Sequence, residues 1–208
     1  MILETIVVTP FSANSYILGC SKTKHAAVID PGGDIERILK NIERLGLTVT
    51  HIVSTHAHID HAAGAAGLKQ ATGAAFCLHP DEIPLLQQLN EHGSIFDLPI
   101  SGIPEVDHPL RQGDSLAVGD LKLNVIETPG HSPCGICLLR KNMLFVGDTI
   151  FDGSIGRTDL FGGDYQTLLR SIRDRILTLP DDVTIYPGHG PATTVGKERQ
   201  TNLFCRLM

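Results

Sequence analysis

Between Thr55 and Ala62 the chain reads Thr55-His56-Ala57-His58-Ile59-Asp60-His61-Ala62, three histidines and a carboxylate within six residues, directly after the apolar pair Ile52-Val53. Imidazole nitrogens and carboxylate oxygens are ligands that borderline divalent cations accept, so a group this dense reads as part of a metal site. An extended backbone would place His56, His58 and Asp60 on one face and turn His61 away. One ion cannot easily take all four groups. Histidine also occurs on ordinary polar surfaces, where an isolated ring is more often structural than a ligand, but four candidate ligands in six positions are harder to explain that way.

The segments leading to this stretch alternate between strand and helix patterns. Residues 2–8 and 14–19 are apolar and β-branched and are separated by Pro10 and Asn14, which predicts a hairpin or adjacent strands. Ala26-Ala27-Val28-Ile29 predicts a third strand, ending at the turn Asp30-Pro31-Gly32-Gly33, in which Asp30 reads as a turn-capping residue. From Asp34 the period changes: Ile35, Ile38, Leu39, Ile42 and Leu45 form one helical stripe, opened by an Asp cap and closed by Gly46. Val49–Val53 returns to strand and delivers His56 to a loop at the strand's carboxyl end, where α/β proteins usually place ligands.

Beyond the histidines, residues 61–72 predict a helix, Ala74–Leu78 a short strand, and Pro80-Asp81-Glu82 a helix start followed by Leu85, Leu86 and Leu89. Residues 92–109, with Pro99, Pro104 and Pro109, predict an irregular connection of the kind used as a lid. Hairpins are expected over 115–127, around Gly119-Asp120, and over 134–147, around Lys141-Asn142. Asp164 caps a helix carrying Leu168, Leu169, Ile172 and Ile176, and Val183–Ile185 is the last clear strand. Mixed strands with helices interspersed predict layered sheets covered outside by helices, in one domain over residues 1–208.

Composition narrows the function. Hydrophobic content of 42% and charged content of 19% are those of a soluble globular chain, and no apolar stretch approaches the ~18 residues that span a bilayer. A net charge of −6 without a basic run offers no footprint for nucleic acid. Met1-Ile2-Leu3-Glu4 enters strand-like sequence at once, without a secretory signal, which predicts a cytoplasmic protein. The five cysteines, Cys20, Cys77, Cys134, Cys137 and Cys205, are odd in number and scattered, so reduced thiols are expected. Cys134-Gly135-Ile136-Cys137 has C-x-x-C spacing but reads as strand, where residues three apart face opposite sides.

Four loops at strand ends now carry candidate ligands: His56, His58, Asp60 and His61 in the first, then His131 in Thr128-Pro129-Gly130-His131, Asp148 in Gly147-Asp148-Thr149, and His189 in Pro187-Gly188-His189-Gly190-Pro191. A single zinc ion, taking about four ligands, would leave about three unused, whereas two ions sharing Asp148 use all seven. The five remaining histidines, His25, His51, His79, His92 and His108, fall outside these motifs and read as surface or packing residues, with His79 the one placed to approach the cleft.

These motifs, in this order and spacing and over essentially the whole chain, resemble the metallo-β-lactamase superfamily, and within it the glyoxalase II (hydroxyacylglutathione hydrolase-like) branch. The resemblance implies an α/β fold, a four-layer αββα sandwich of two mixed β-sheets flanked by helices, with the metals at one edge of the sheets. It implies that His56, His58 and His131 hold one metal, that Asp60, His61 and His189 hold the other, and that Asp148 bridges them, with Asp60 and Asp148 as catalytic carboxylates. The family metal is usually zinc, with iron and manganese also found. Two such ions make water a nucleophile at neutral pH and stabilise an oxyanion. A thioester then needs no dedicated general acid, since the leaving thiolate has a conjugate-acid pKa of ~8.5. The implied reaction is hydrolysis of S-D-lactoylglutathione to D-lactate and glutathione, a step of methylglyoxal detoxification, on a small-molecule thioester with no nucleic acid, membrane or obligate protein partner.

In that branch a basic residue after the bridging Asp anchors glutathione, and the matching position is Arg157 in Gly156-Arg157-Thr158. Its guanidinium either clamps a substrate carboxylate or pairs with Asp159 or Asp152. Two departures from the branch stand out: the aromatic residue expected two positions later is Asp159, and the extra carboxyl-terminal helical portion of longer glyoxalase II enzymes is largely absent. The competing reading is a persulfide dioxygenase with one iron on His56, His131 and Asp148; hydrolysis of another ester or thioester is a further one. β-Lactam hydrolysis is less expected because that branch commonly has Cys at the position of Asp148, and RNA processing because the chain is acidic and lacks an RNA-gripping insertion.

Overall fold

Successive side chains of the central strands enter different cores, and this alternation stacks the molecule into layers. In the computed structural model, which describes residues 1–98 and 100–206, the first sheet contains β1 (Ile2–Val8), β2 (Ala13–Gly19), β3 (His25–Ile29), β4 (Thr48–Val53), β5 (Ala75–Leu78) and β6 (His108–Pro109) in that spatial order. β1, β2 and β3 pair antiparallel, while β3 through β6 run parallel. The second sheet is built from β7 (Ser115–Val118), β8 (Leu121–Glu127), β9 (Ile136–Arg140) and β10 (Met143–Gly147). After a small separate hairpin, β11 (Ile150–Phe151) and β12 (Ser154–Ile155), it is completed by β13 (Thr184–Pro187) and β14 (Thr193–Thr194). Its β10–β13 pair is parallel and its other pairs antiparallel, so both sheets are mixed as expected.

Tyr16 and Leu18 of β2, Ile29 of β3 and Val53 of β4 point between the sheets, where they meet Leu123, Leu138 and Phe145 of the second. The intervening residues Ile17, Val28 and Ile52 point outward onto α1 (Ile35–Leu45) and its neighbours. Leu144, Val146 and Ile185 likewise leave the opposite face of the second sheet to pack on Leu168, Ile172 and Ile176. Strands buried on both faces are why these segments read as continuous apolar runs rather than strict alternation. The result is the four-layer αββα sandwich.

Several local expectations are corrected. Asp34 does precede α1, but its own backbone is left-handed (φ 49°) and its carboxylate accepts from Thr9 N (3.0 Å) and Thr9 Oγ1 (2.8 Å) instead of capping the helix. The helix expected over 61–72 starts at Ile59 and splits into α2 (Ile59–Ala62) and α3 (Ala65–Thr72). The break lies at Gly64, where a Cβ would collide with the Pro31 carbonyl oxygen and Ile35, and whose N–H donates to that same oxygen at 2.8 Å. Pro80–Glu82 forms a 3₁₀ turn leading into α4 (Ile83–Leu86) and α5 (Leu89–Ile95). The 92–109 connection is therefore helical at its start and ends in β6; Pro99 within it, and Leu207 and Met208 at the end of the expected domain, lie outside the described residues. Cys134 sits before β9 rather than in it, and all five cysteines are free and buried.

Asp164 caps α6 (Tyr165–Ser171) by accepting from Thr167 N at 2.7 Å, and the helix continues through a π turn to Ile176. α7 (Val195–Thr201) and α8 (Leu203–Arg206), with β11, β12 and β14, were not anticipated, being too short for hydrophobic periodicity to register.

Phe145 is the test of the inter-sheet core: fully buried, it stacks on Tyr186 (5.1 Å) and meets Tyr16 edge-on (5.2 Å). Phe145→Ala is expected to cost about 3–5 kcal/mol in denaturant unfolding. Val7→Ala, at a position 47% exposed, should stay within about 0.5 kcal/mol of the parent protein.

Candidate metal centre

All four ligand-bearing loops leave carboxyl ends of strands on one edge of the sandwich: β4 leads to His56 through His61, β8 to His131, β10 to Asp148 and β13 to His189. Their side chains gather into two groups, His56, His58 and His131, and Asp60, His61, Asp148 and His189, within each of which one ligand atom per residue lies within 4.8 Å of the others. This departs from the extended-strand geometry. The chain turns into α2 at Ile59, and the helical turn carries Asp60 and His61 together, away from His56 and His58.

Hydrogen bonds set the tautomers of the first group. Thr55 Oγ1 donates its proton to Asp30 Oδ2 (2.9 Å), so toward His56 Nδ1 (3.1 Å) it accepts, and His56 Nε2 keeps its lone pair. His131 Nδ1 donates to the Arg157 carbonyl (2.7 Å), which leaves Nε2 as the nitrogen turned toward the other rings. These two Nε2 atoms face each other at 3.3 Å, and His58 Nδ1 lies 2.9 Å from His131 Nε2. Burial, and then the neighbouring rings, push His56 well below the usual imidazole range and His58 down to about 3, so both rings are neutral at pH 7.

In the second group His189 Nε2 lies 3.0 Å from Asp60 Oδ2 and 3.7 Å from Asp148 Oδ2, while His61 Nε2 lies 3.5 Å from Asp60 Oδ2 and 3.3 Å from Asp148 Oδ1. Asp148 Oδ2 is also 3.7 Å from His131 Nε2, so this carboxylate stands between the groups. Burial opposes ionisation of Asp60 and Asp148, but His61 and the other rings outweigh it and hold both below the usual carboxyl range. Conversely burial alone would lower His61, yet Asp60, Asp148 and Asp30 raise it well above the usual imidazole value; the hydrogen bond with Asp60 raises His189.

A cation pair fits this donor set. Among the described residues, His58 Nε2, His61 Nε2 and Asp148 Oδ1 are buried without a hydrogen-bond partner, a costly arrangement for a protein that has no other use for them. Gly188 completes the cradle, because a Cβ there would strike Asp148 Oδ1 and press on His61 Cε1.

The residues that fix this geometry were largely missed in the sequence. Asp30, read as a turn cap, is buried, accepts from Thr55 N (2.6 Å) and Oγ1, and faces His61 Nδ1 at 3.1 Å. Glu82, read only as part of a helix start, is fully buried: Oε2 accepts from Ala57 N (2.9 Å) and Oε1 from Cys134 N (2.7 Å), tying the first histidine loop to the loop after His131. Asn14 Nδ2 donates to the carbonyls of Pro187 and Gly190 (both 2.9 Å), and Tyr16 Oη to that of Pro187 (2.6 Å), so β2 of one sheet holds the His189 loop of the other. The one signal in sequence was the position of Asp30, an acid directly after the apolar run Ala26–Ile29.

Above the ligands opens a cleft of about 610 Å³ walled by Phe11, Ile95, Phe96, Phe151, Ile155 and Leu160, with His92 and Arg157 also on its lining. The start of the 92–109 connection thus does border the site. Arg157 pairs with Asp159 rather than Asp152, through Nε to Oδ1 and Nη2 to Oδ2, both 2.7 Å; Asp152 binds Lys197 instead. A third group, His79, Glu127 and Cys134, has ligand-type atoms close together. However, His79 Nδ1 accepts from Asp81 N (3.1 Å), so Nε2 carries the proton, donates it to Glu127 Oε1 (3.0 Å) and has no lone pair for a cation.

Glu82→Gln replaces one accepting oxygen by an NH₂ that faces an amide N–H, and is expected to cost about 1–3 kcal/mol of stability and to weaken metal retention about 10–100-fold, read by unfolding and by metal titration. Because neighbouring carboxylates raise His61 well above, and His189 above, the usual imidazole value, cation binding must compete with protons on both rings. Calorimetry in buffers of different ionisation enthalpy should show proton release, with affinity rising as pH rises through and above the usual imidazole range.

Comparison with known proteins agrees with this geometry. A hydroxyacylglutathione hydrolase, GloC, of Haemophilus influenzae is 37% identical over 98% of this chain and 98% of its own. The crystal structure of BLEG-1 B3 metallo-beta-lactamase superposes with a TM-score of 0.91 at 37% identity, covering 98% of this chain and 99% of that one. TTHA1623 in a di-iron-bound form follows at 0.88 and 34%, covering 97% and 99%. The family model for the metallo-beta-lactamase superfamily matches residues 8–189, from the last residue of β1 to the last of the seven ligands. Since that span takes in every loop of the metal centre, the chain belongs to the metallo-β-lactamase superfamily.

Proposed function

We propose that this metal-dependent hydrolase acts on acyl thioesters in the manner of glyoxalase II, with S-D-lactoylglutathione as its first candidate substrate, released as D-lactate and free thiol. The observation that carries the reading is the placement of Asp148 between two groups of ligands at the floor of an apolar cleft. Likeness to a hydroxyacylglutathione hydrolase over nearly the full length of both chains supports the thioester.

When bound, a pair of divalent cations, zinc or iron, supplies Lewis acidity and makes water nucleophilic at neutral pH. The chain's own residues do the rest. His56 and His58 are kept neutral by burial and offer lone pairs, and His131, held through Nδ1, turns Nε2 toward them; Asp60 and Asp148 are kept ionised by His61 and His189 and supply the negative charge. The aromatic and aliphatic walls exclude bulk water and hold the carbonyl over the ligands. The thiolate departs without a proton donor, its conjugate acid having a pKa of ~8.5.

A single-iron oxygenase on His56, His131 and Asp148 would leave the close grouping of Asp60, His61 and His189 without a task, so the geometry favours the hydrolase. β-Lactam hydrolysis enters as a second reading through the likeness to BLEG-1.

Metal content should be counted on protein purified without chelators and assayed on three substrates: S-D-lactoylglutathione, a chromogenic β-lactam, and glutathione persulfide with oxygen uptake. Two ions per chain and thioester cleavage are expected; one iron with oxygen uptake and no cleavage defeats the proposal. Asp148→Asn should lower kcat by at least about 100-fold, as removal of a preorganised charge does at such sites, and should reduce the metal count on the same protein.

A further inference from the structure

The state of Arg157 in the cleft bears on which thiol arm the site accepts. Arg157 is the only Lys or Arg among the described residues lining the cleft. Its backbone is pinned beside the ligands, since its carbonyl takes the hydrogen bond from His131 Nδ1. Its guanidinium presents Nε and Nη2, the edge that matches a carboxylate, to Asp159 in a two-bond fork. The pair is exposed, with side chains 61% and 68% accessible, so it is not locked by burial. Even so, an arriving carboxylate must displace Asp159 from that edge and approach its negative charge. Around the neutralised pair the rim is apolar: Leu160 follows Asp159 directly, and in the same cleft lining Ile95 and Phe96 are 67% and 52% exposed, with Phe96 set edge-on against Phe11 at 5.2 Å. Exposed apolar side chains around a cleft mark surface that a ligand covers.

We propose that Asp159 is a specificity-determining residue, keeping Arg157 occupied so that the cleft favours thioesters whose thiol arm is uncharged and apolar over those whose arm ends in carboxylates. The inference rests on the thioester reading above, and narrows it to a substrate class: an acyl thioester of a neutral thiol, lying along Phe11, Phe96, Ile95 and Leu160. Glutathione thioesters remain substrates but bind weakly, because their carboxylates compete with Asp159.

Binding is measured apart from turnover with non-hydrolysable thioethers carrying the same alkyl group, S-hexylglutathione and S-hexyl-N-acetylcysteamine, by calorimetry on the metal-loaded enzyme. Asp159→Asn is expected to tighten S-hexylglutathione about 10-fold, as a freed fork gains one charge-assisted contact, and to leave the neutral thioether within about twofold. Adding Arg157→Ala should abolish that gain, and raised salt should shrink it. Arg157→Ala alone should change S-hexylglutathione binding less than about threefold, given that the fork is already filled. A loss of tenfold or more from Arg157→Ala alone, no change from Asp159→Asn, or no binding of the neutral thioether overturns the proposal. Both substituted side chains are exposed, and unfolding curves of each variant check that the fold is retained. Hydrolysis of the matching thioesters is scored separately: discrimination between the thioethers without any thioester cleavage defeats the hydrolase reading and leaves the role of Asp159, whereas cleavage without a response to Asp159→Asn defeats the role of Asp159 alone.

Discussion

Asp30 is the buried carboxylate on which both halves of the metal centre rest. It stands at the end of β3 in a left-handed conformation (φ 52°) and is 1% exposed, so its charge must be met by nearby donors. The amide and hydroxyl of Thr55 meet one part of that demand, and His61 Nδ1 lies against the other. Through the Thr55 hydroxyl Asp30 fixes the tautomer of His56; through its charge it favours the protonated, or cation-bound, state of His61. One carboxylate therefore orients a ligand in each group, although it belongs to neither.

The same economy holds at the other two contacts between loops. Glu82 bridges the amides of Ala57 and Cys134, and Asn14 and Tyr16 hold the carbonyls of the His189 loop. Glu82 is satisfied only when two separate loops are in place, and Asn14 and Tyr16 only when the His189 loop lies on β2, so these pieces order together. The sheets make this possible. Parallel pairing of β3 through β6 and of β10 with β13 sends several carboxyl ends to one edge of the sandwich, where loops from both sheets meet.

Electrostatics then divides the labour. In the first group burial holds His56 and His58 neutral, while the second concentrates two carboxylates against two raised imidazoles. Asp148 joins an all-nitrogen half to the half that holds both carboxylates. Beyond the ligands the cleft offers little charge, since Arg157 and Asp159 neutralise each other at its rim. Recognition there depends on apolar contact, and affinity for an anionic arm depends on competition with one side chain.

Much of this was legible in the sequence, for physical reasons. A strand buried on both faces must be apolar along its length, so the central strands announced themselves, as did the stripe of α1 and the cap of α6. Ligand-type residues packed into short loops after such strands marked the seven positions that the structure brings together. What local spacing could not carry was anything that depends on which loop lies beside which; the division of the ligands that the structure shows had only the family resemblance behind it. Periodicity placed Asp60 on the face of His56; the helical turn at Ile59, permitted by the close approach at Gly64, placed it with His189 instead. Asp30 and Glu82 look in sequence like a turn residue and a helix-start acid, because their partners lie 25 or more positions away. The sequence by itself determined the layers and the supply of ligands, since both follow from side-chain chemistry at fixed local spacing. The division of those ligands into two groups, their tautomers and the occupation of Arg157 were decided only by tertiary structure, because each rests on contacts among side chains and loops whose directions local spacing does not set.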